Sequence, residues 1–311
     1  MVIFQFYCKE AVLEPEKQVG RSTGKGILIA LLCSFFFSWQ SPITKLLMRE
    51  HVSSIDCVTM LFLFGAVLVN LITLSSPRRK EIYRDCIRCS KALVPMALMN
   101  FFVSVGIFYA LRTLSAGVVS VLLYMSPAYV CIFFMITKIK PVSRLNKVAV
   151  LLSIGGCCLA LNVFNTPLAE LSVSGILFGL LACVAFGSYQ LVADLKLPGD
   201  LQQLSIITVG LTVGGIVGSI INPSMYIRLP QLSPLALGLF LLSVVMTKIV
   251  PLLLEVRAIS IIGSERASVI LSMEVPWTLL LAYFTLGETM LPSQLAGVGL
   301  VVLSVILLQK K

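Results

Sequence analysis

The sequence contains few charged residues, one histidine and none of the common catalytic motifs. Charged residues make up 12% of its 311 positions, and His51 is the single histidine. The patterns G-x-S-x-G, H-E-x-x-H and GxxxxGK[ST] do not occur, so the signatures of serine hydrolases, zinc proteases and P-loop proteins are missing. We therefore predict that the protein is not an enzyme, that it uses no cofactor and that it does not consume ATP directly.

The nine cysteines do not form a pattern typical of a metal site or a disulfide framework. Six of them lie within apolar stretches, where a free cysteine behaves as a small hydrophobic residue. Cys86 and Cys89 form an isolated C-x-x-C pair, whereas a four-ligand zinc site needs a second pair or nearby histidines. We expect no metal centre.

Apolar residues dominate the chain instead. They make up 58% of the residues, and the mean hydropathy is +1.00, values that exclude an ordinary soluble domain. A helix of about twenty apolar residues crosses the roughly 30 Å hydrocarbon core of a bilayer, and irregular backbone is not tolerated in lipid. After a polar tail at residues 1–23, we predict an all-α integral membrane protein of ten helices: 24–45, 53–75, 92–111, 116–137, 146–164, 173–193, 203–221, 235–254, 264–285 and 291–308.

The positive charges are distributed by topology rather than gathered on one nucleic-acid-binding face. Of the 24 lysines and arginines, nineteen lie in segments that share one side of the membrane and four lie in segments on the other side. The remaining one, Lys248, lies within a span. Because positively charged segments stay on the cytoplasmic side, both termini are expected in the cytoplasm, and nucleic acid is not an expected partner.

The chain repeats itself in two halves, residues 24–164 and 173–308. VSVLLYM at Val119–Met125 and ASVILSM at Ala267–Met273 are related by an offset of 148 residues. Five spans per copy is an odd number, so the second copy is inverted relative to the first, an architecture typical of secondary transporters. Similar offsets align polar and aromatic residues: Asn100 with Lys248, Ser126 with Glu274, Tyr129 with Trp277, and Trp39-Gln40 with Tyr189-Gln190.

The second half contains Met273-Glu274-Val275-Pro276, followed by Gly287-Glu288. The first half contains Ser126-Pro127 and the Trp39–Lys45 end of span one. With the two five-span halves, these features resemble the EamA-type ten-helix members of the drug/metabolite transporter superfamily. The resemblance implies movement of small metabolites, such as amino acids, across a bacterial inner membrane. Three features depart from the family pattern: Val275 separates Glu274 from Pro276, Lys140 replaces an acidic residue, and span two lacks an arginine. No particular substrate or coupling ion is therefore implied.

Glu274 is the first candidate for a functional residue, because it lies near the middle of span nine. A carboxylate at that depth is costly and usually faces a polar cavity, although a buried ion pair in a kinked structural helix is an alternative. Pro127 and Pro276 are candidate helix breaks. Helical spacing places Trp277 and Thr278 on the face of Glu274, and Tyr129 on the face of Ser126. The predicted substrate-binding residues are Trp39, Gln40, Asn100, Ser126, Tyr129, Tyr189, Gln190, Glu274, Trp277 and Thr278.

Lys248 and Glu274 form a candidate ion pair. Glu274 lies ten residues into its span and Lys248 six residues from the same side, depths of roughly 15 Å and 9 Å at 1.5 Å per residue. The length of a lysine side chain closes much of that difference. We predict that the two groups interact in at least one conformation and that substrate or a proton competes for the partnership. A purely structural pair is the alternative.

These observations predict a secondary transporter that exports a small polar metabolite, an amino acid or similar zwitterion, across the inner membrane by alternating access. Its expected partners are that solute, the lipid bilayer, and a proton or counter-solute. An importer or exchanger of another metabolite or drug is one alternative. A membrane-embedded enzyme acting on a lipid-linked substrate is another, and a non-transporting receptor or assembly subunit is a third.

Overall fold

The computed structural model describes residues 23–40, 43, 46–47, 50, 52–110, 112–114, 119, 122–160, 172–199, 201–286 and 291–309. The predicted tail up to residue 22, His51, Lys45 and the Gly287-Glu288 pair lie outside these ranges. Within them, every regular element is helical.

The described residues of the first half form six helices: α1 (Thr23–Ser38), α2 (Ser54–Ser75), α3 (Arg79–Arg88), α4 (Ser90–Ala110), α5 (Ser126–Thr137) and α6 (Arg144–Ala160). The second half contains α7 (Val173–Lys196), α8 (Gln203–Ile221), the short α9 (Met225–Arg228) with a 3-10 turn (Leu229–Gln231), α10 (Pro234–Ser243), a π-helical segment (Val244–Ile249), α11 (Val250–Leu271), α12 (Glu274–Leu286) and α13 (Pro292–Gln309).

The helices have the length and surface of membrane spans. Five described stretches are long and apolar enough to cross a bilayer, and the 38-residue stretch Pro234–Leu271 includes the eighth span and the start of the ninth. Large apolar side chains point outward along these helices; Leu151 is 71% exposed and Ile220 is 73% exposed. A water-soluble protein rarely exposes continuous apolar surface of this kind. The outer surface is therefore a lipid-facing surface.

The packing of the helices has the symmetry that two inverted copies require. α4 packs against α7, and α11, which contains the end of span eight and the start of span nine, packs against α1; α5 packs against α7, and its equivalent α12 packs against α1. The remaining two major pairs each join a helix to its own counterpart: α2 to α8 and α6 to α13. The predicted all-α membrane fold of two inverted repeats is thus confirmed.

Glycines set the closest helix contacts. A Cβ added at Gly106 of α4 would lie 2.7 Å from the Phe178 carbonyl oxygen of α7. One added at Gly156 of α6 would lie 2.8 Å from the Gly297 carbonyl oxygen of α13. Because lipid supplies little hydrophobic drive between helices, such close backbone packing is a major source of their association.

Spans four and nine are interrupted at equivalent positions. Residues 124–125 form a turn before α5, and residues 272–273 form a turn before α12, 148 residues later in the sequence. Pro127 and Pro276 are the second and third residues of the helices that follow these turns. In the first turn of a helix the missing N–H of proline has no intrahelical partner to lose. The two prolines therefore begin new helical segments rather than kinking continuous ones.

The predicted end of span eight is wrong. Helical structure continues beyond residue 254 as far as Gly263, where φ is 79° and ψ is 160°. This backbone region is essentially restricted to glycine, so the chain turns there into span nine. Two more helical turns are thereby added to span eight, and they bring Glu255 into the protein interior.

Polar networks join the two halves at both ends of the bundle. At the end predicted to be cytoplasmic, Lys140 pairs with Asp194 at 2.8 Å, and the other Asp194 oxygen accepts from the Ser264 amide at 3.1 Å and its hydroxyl at 2.8 Å. At the opposite end, Asp56 pairs with Arg228 and accepts from Asn222 Nδ2 at 2.7 Å. Each network therefore links the two halves at one end of the bundle.

α3 covers the predicted cytoplasmic end of α8. Ser205 Oγ donates to the Ile82 carbonyl at 3.1 Å, and the Gln202 amide donates to Asp85 Oδ2 at 3.1 Å. The Cys86 thiol donates to the Ser205 carbonyl, and burial raises the pKa of that thiol. Cys86 is therefore held as a neutral thiol of low reactivity.

Candidate functional site

A cavity of about 60 Å³ lies between the two halves, in the middle of the bundle. Seven of the residues that line it come from the first half and seven from the second. The polar members of this lining are Gln40, Asn100, Ser104, Tyr189, Thr247, Lys248, Glu255 and Glu274. Five of them, Gln40, Asn100, Tyr189, Lys248 and Glu274, were predicted from the sequence as site residues.

Three charged residues stand in the described part of the lining, and all of them come from the second half. Subtracting the repeat offset of 148 from Lys248, Glu255 and Glu274 gives Asn100, Ile107 and Ser126. Asn100 and Ile107 also line the cavity. The two halves therefore contribute equivalent positions to the cavity wall, whereas Lys248, Glu255 and Glu274 all come from the second half.

Lys248 is held in the cavity wall by groups of the first half. It lies in the π-helical segment and is 7% exposed. Its Nζ atom donates to Ser104 Oγ at 3.1 Å and lies 4.8 Å from the centre of the Phe62 ring. A π-helical segment adds a residue to the turn and often occurs at functional sites. Lys248 lies in this segment, contacts the opposite half, and is the only cation among the described residues that line the cavity.

Glu274 is the first residue of α12 and faces the same cavity. A carboxylate at a helix N-terminus interacts favourably with the helix dipole, and Tyr124 forms a hydrogen bond with this one. Lys248 and Glu274 are both described, and they form no ion pair in this conformation. Their predicted pairing in another conformation stays a prediction.

Glu255 is a site residue that the sequence reading missed. It is fully buried, lines the cavity and accepts a hydrogen bond from Gln190 Nε2 at 3.2 Å. Gln190, predicted as a substrate-binding residue, does not line the cavity itself but is hydrogen-bonded to Glu255, which does. The detectable signal was spacing, since Glu255 follows Lys248 by seven residues and two helical turns return a side chain to the same face.

Five other predicted residues do not line this cavity in this conformation, and their role in substrate binding stays a prediction. The Tyr129 hydroxyl lies 2.9 Å from Ser188 Oγ, and its ring fills the space beside Gly187. Trp277 packs edge-on against Phe35, with ring centres 5.5 Å apart. The remaining three are Trp39, which packs on the main apolar core, Ser126, which is buried at the start of α5, and Thr278, which is half-buried on α12.

The sequence matches the model of the EamA-like transporter family twice, over residues 24–162 and 173–309. The chain belongs to the EamA-like transporter family. The two EamA matches fall on the two halves that pack around the cavity. The resemblance drawn from the Glu274 and Pro276 region is thereby confirmed, and the protein is a multi-pass membrane protein of a transporter family.

The chain is also similar to two other proteins. The chain is 30% identical over 198 residues to the "Uncharacterized transporter YcbK" of Bacillus subtilis (strain 168), a match that spans 62% of this chain and 63% of that relative. A solved structure described as "Crystal structure of protein" superposes with a TM-score of 0.65 at 11% identity, covering 91% of this chain and 96% of that one. That likeness shows a shared fold.

Proposed function

We propose that the protein is a secondary transporter that exports a small zwitterionic metabolite, an amino acid or a similar compound, across the plasma membrane by alternating access. The observation that carries the proposal is the polar cavity between two inverted halves. A buried cavity with charged walls is expensive to maintain in a membrane protein and commonly marks a solute path. The charge bias of the sequence supports both termini on the cytoplasmic side.

The size of the cavity supports a mechanism with moving halves. A volume of about 60 Å³ holds only a few water molecules, at roughly 10–15 Å³ for each. A metabolite needs more room, so the halves must separate to admit it. The Lys140–Asp194 network and the Asp56–Arg228 network join the halves at opposite ends. Rocking would open one network while the other holds.

The charges of the wall support a zwitterionic solute. The Lys248 ammonium is available to an anionic group once it leaves Ser104. The Glu274 carboxylate, on α12 of the same half, is available to a cationic group. Asn100 and Gln40 add uncharged donors and acceptors to the wall. A proton or a counter-solute would supply the energy for uphill movement.

The proposal is tested with purified protein in sealed liposomes and a panel of radiolabelled amino acids and related metabolites. We expect flux of at least one panel member, lost in Lys248→Met and in Glu274→Gln. Lys80→Met is the matched control, because Lys80 is exposed on α3, and it should transport normally. Thermal unfolding of each variant separates lost transport from lost folding.

Three outcomes contradict the proposal. Flux of no panel member would favour a receptor or assembly subunit. Normal flux in both variants would remove Lys248 and Glu274 from the solute path. If each single variant loses stability and the double variant regains stability and transport, the two residues are a structural pair, because only the single changes leave a buried charge unpaired.

A further inference from the structure

Two buried oxygen atoms beside the cavity have no hydrogen-bond donor within the described part of the chain. They are Oε2 of Glu255 and Oε1 of Gln190, and both residues are 0% exposed. The other atoms of these two groups already bond to each other, Gln190 Nε2 to Glu255 Oε1. A buried polar atom without a partner costs about 1–3 kcal/mol. The two oxygens therefore define a place that a donor group would occupy.

The charge of the cavity indicates what kind of donor is missing. Lys248 contributes one positive charge, and Glu255 and Glu274 contribute two negative charges when both are ionised. The cavity then has an excess of one negative charge in a membrane interior. An uncompensated buried charge is strongly destabilising. One added positive charge removes the excess, and a group that also carries N–H or O–H bonds satisfies the free oxygens.

Among the residues that the structure describes, Lys248 is the one positive group that acts on Glu255. Among the described residues, the titratable groups that act on Glu255 are Lys248 on its own helical stretch, Glu274 on α12, Cys33 on α1 and Tyr189 on α7. Lys248 is already engaged by Ser104 and the Phe62 ring. The Cys33 thiol donates to the Pro251 carbonyl, so it is not directed at Glu255.

We propose that Glu255 and Gln190 form a binding site for one positive charge, carried either by a proton or by a primary ammonium group. A proton binds to Glu255 Oε2, and the resulting O–H is a donor for a nearby acceptor such as Gln190 Oε1. An ammonium group offers three N–H donors, enough for both free oxygens. In the first half the position of Glu255 is occupied by Ile107, so that position does not provide a symmetric second site.

This inference deepens the proposed function by naming the cation site of the same cavity, yet its test needs no knowledge of the transported solute. For the proton, infrared spectra of the full chain in nanodiscs are recorded between about pH 5 and pH 10. We expect a protonated-carboxyl band that disappears with rising pH and is missing from Glu255→Gln. Glu274→Gln should keep that band.

For the ammonium group, thermal unfolding is followed in methylammonium chloride, with tetramethylammonium chloride as the control because it has no N–H bond. We expect methylammonium alone to raise the unfolding temperature. Its half-saturating concentration should rise about tenfold or more in Glu255→Gln, as loss of a charge-assisted hydrogen bond implies. Gln190→Met should weaken the same response if Glu255→Gln does not fold.

Either response supports the inference and identifies the source of the charge. The inference is overturned if no band depends on Glu255 and methylammonium acts no differently from tetramethylammonium. A positive result without solute flux would contradict the transport proposal alone, and flux without either response would contradict the cation site alone.

Discussion

Gly263→Ala should destabilise the protein through the backbone conformation alone. With φ at 79° and ψ at 160°, Gly263 occupies a backbone region that costs a non-glycine residue about 1–3 kcal/mol. A Cβ there would meet only Asp194 Oδ2, at 3.8 Å, an ordinary contact distance. The penalty of Gly263→Ala therefore comes from the backbone and not from a collision. At about 2–4 °C per kcal/mol, the unfolding temperature should fall by about 2–12 °C.

The assay is thermal unfolding of purified protein in one detergent, with Gly238→Ala as the matched control. Gly238 lies in α10 and has no neighbouring atom within 4 Å of an added Cβ. Alanine in a helix interior is favoured over glycine by about 1 kcal/mol, so the control should be at least as stable as the natural protein. If Gly263→Ala unfolds at the natural temperature or above it, the account of the turn between spans eight and nine is wrong.

Two further predictions concern the ends of the bundle. Lys140→Ala should lower the free energy of unfolding by less than about 1 kcal/mol, because Lys140 is 42% exposed and exposed ion pairs contribute little. Asp194→Ala should lower it more, since the hydrogen bonds to Ser264 are also lost. Equal losses of the two variants in thermal unfolding would contradict the network. In a background without native cysteines, an impermeant thiol reagent added to intact cells should label Ile227→Cys but not Lys80→Cys, both exposed positions. Labelling of Lys80→Cys alone would reverse the orientation.

The fold was predictable because its main determinants repeat along the sequence. Apolar runs of membrane-spanning length located the spans, and the offset of 148 residues indicated inversion. The same offset matches the turns at residues 124–125 and 272–273. The ends of the helices were less predictable where a helix continues through charged residues. The predicted span eight ended at residue 254, just before the charged residues Glu255 and Arg257. Side chains two residues apart on a helix, however, point in directions about 200° apart. Glu255 is thus buried while Arg257 is exposed.

The candidate site was predictable only in part, because helical position does not determine which neighbour a side chain meets. Lys248 and Glu274 stood out as charges within apolar spans. Trp277 and Tyr129 had similar depth, but helix packing places them against Phe35 and Gly187. The π-helical segment was also hidden, since no residue type in Val244–Ile249 requires the additional residue in its turn.

The central claim is that the cavity between the halves opens alternately to the two sides of the membrane. Its most direct measurement is thiol labelling of Asn100→Cys, a position in the cavity wall, in protein freed of its nine native cysteines. In membrane vesicles of defined orientation, an impermeant reagent is supplied from either side, with Lys80→Cys as the one-sided control. The account predicts that Asn100→Cys reacts from both sides, whereas Lys80→Cys reacts from one. Reaction of Asn100→Cys from neither side, or from only one side under all conditions, would contradict alternating access.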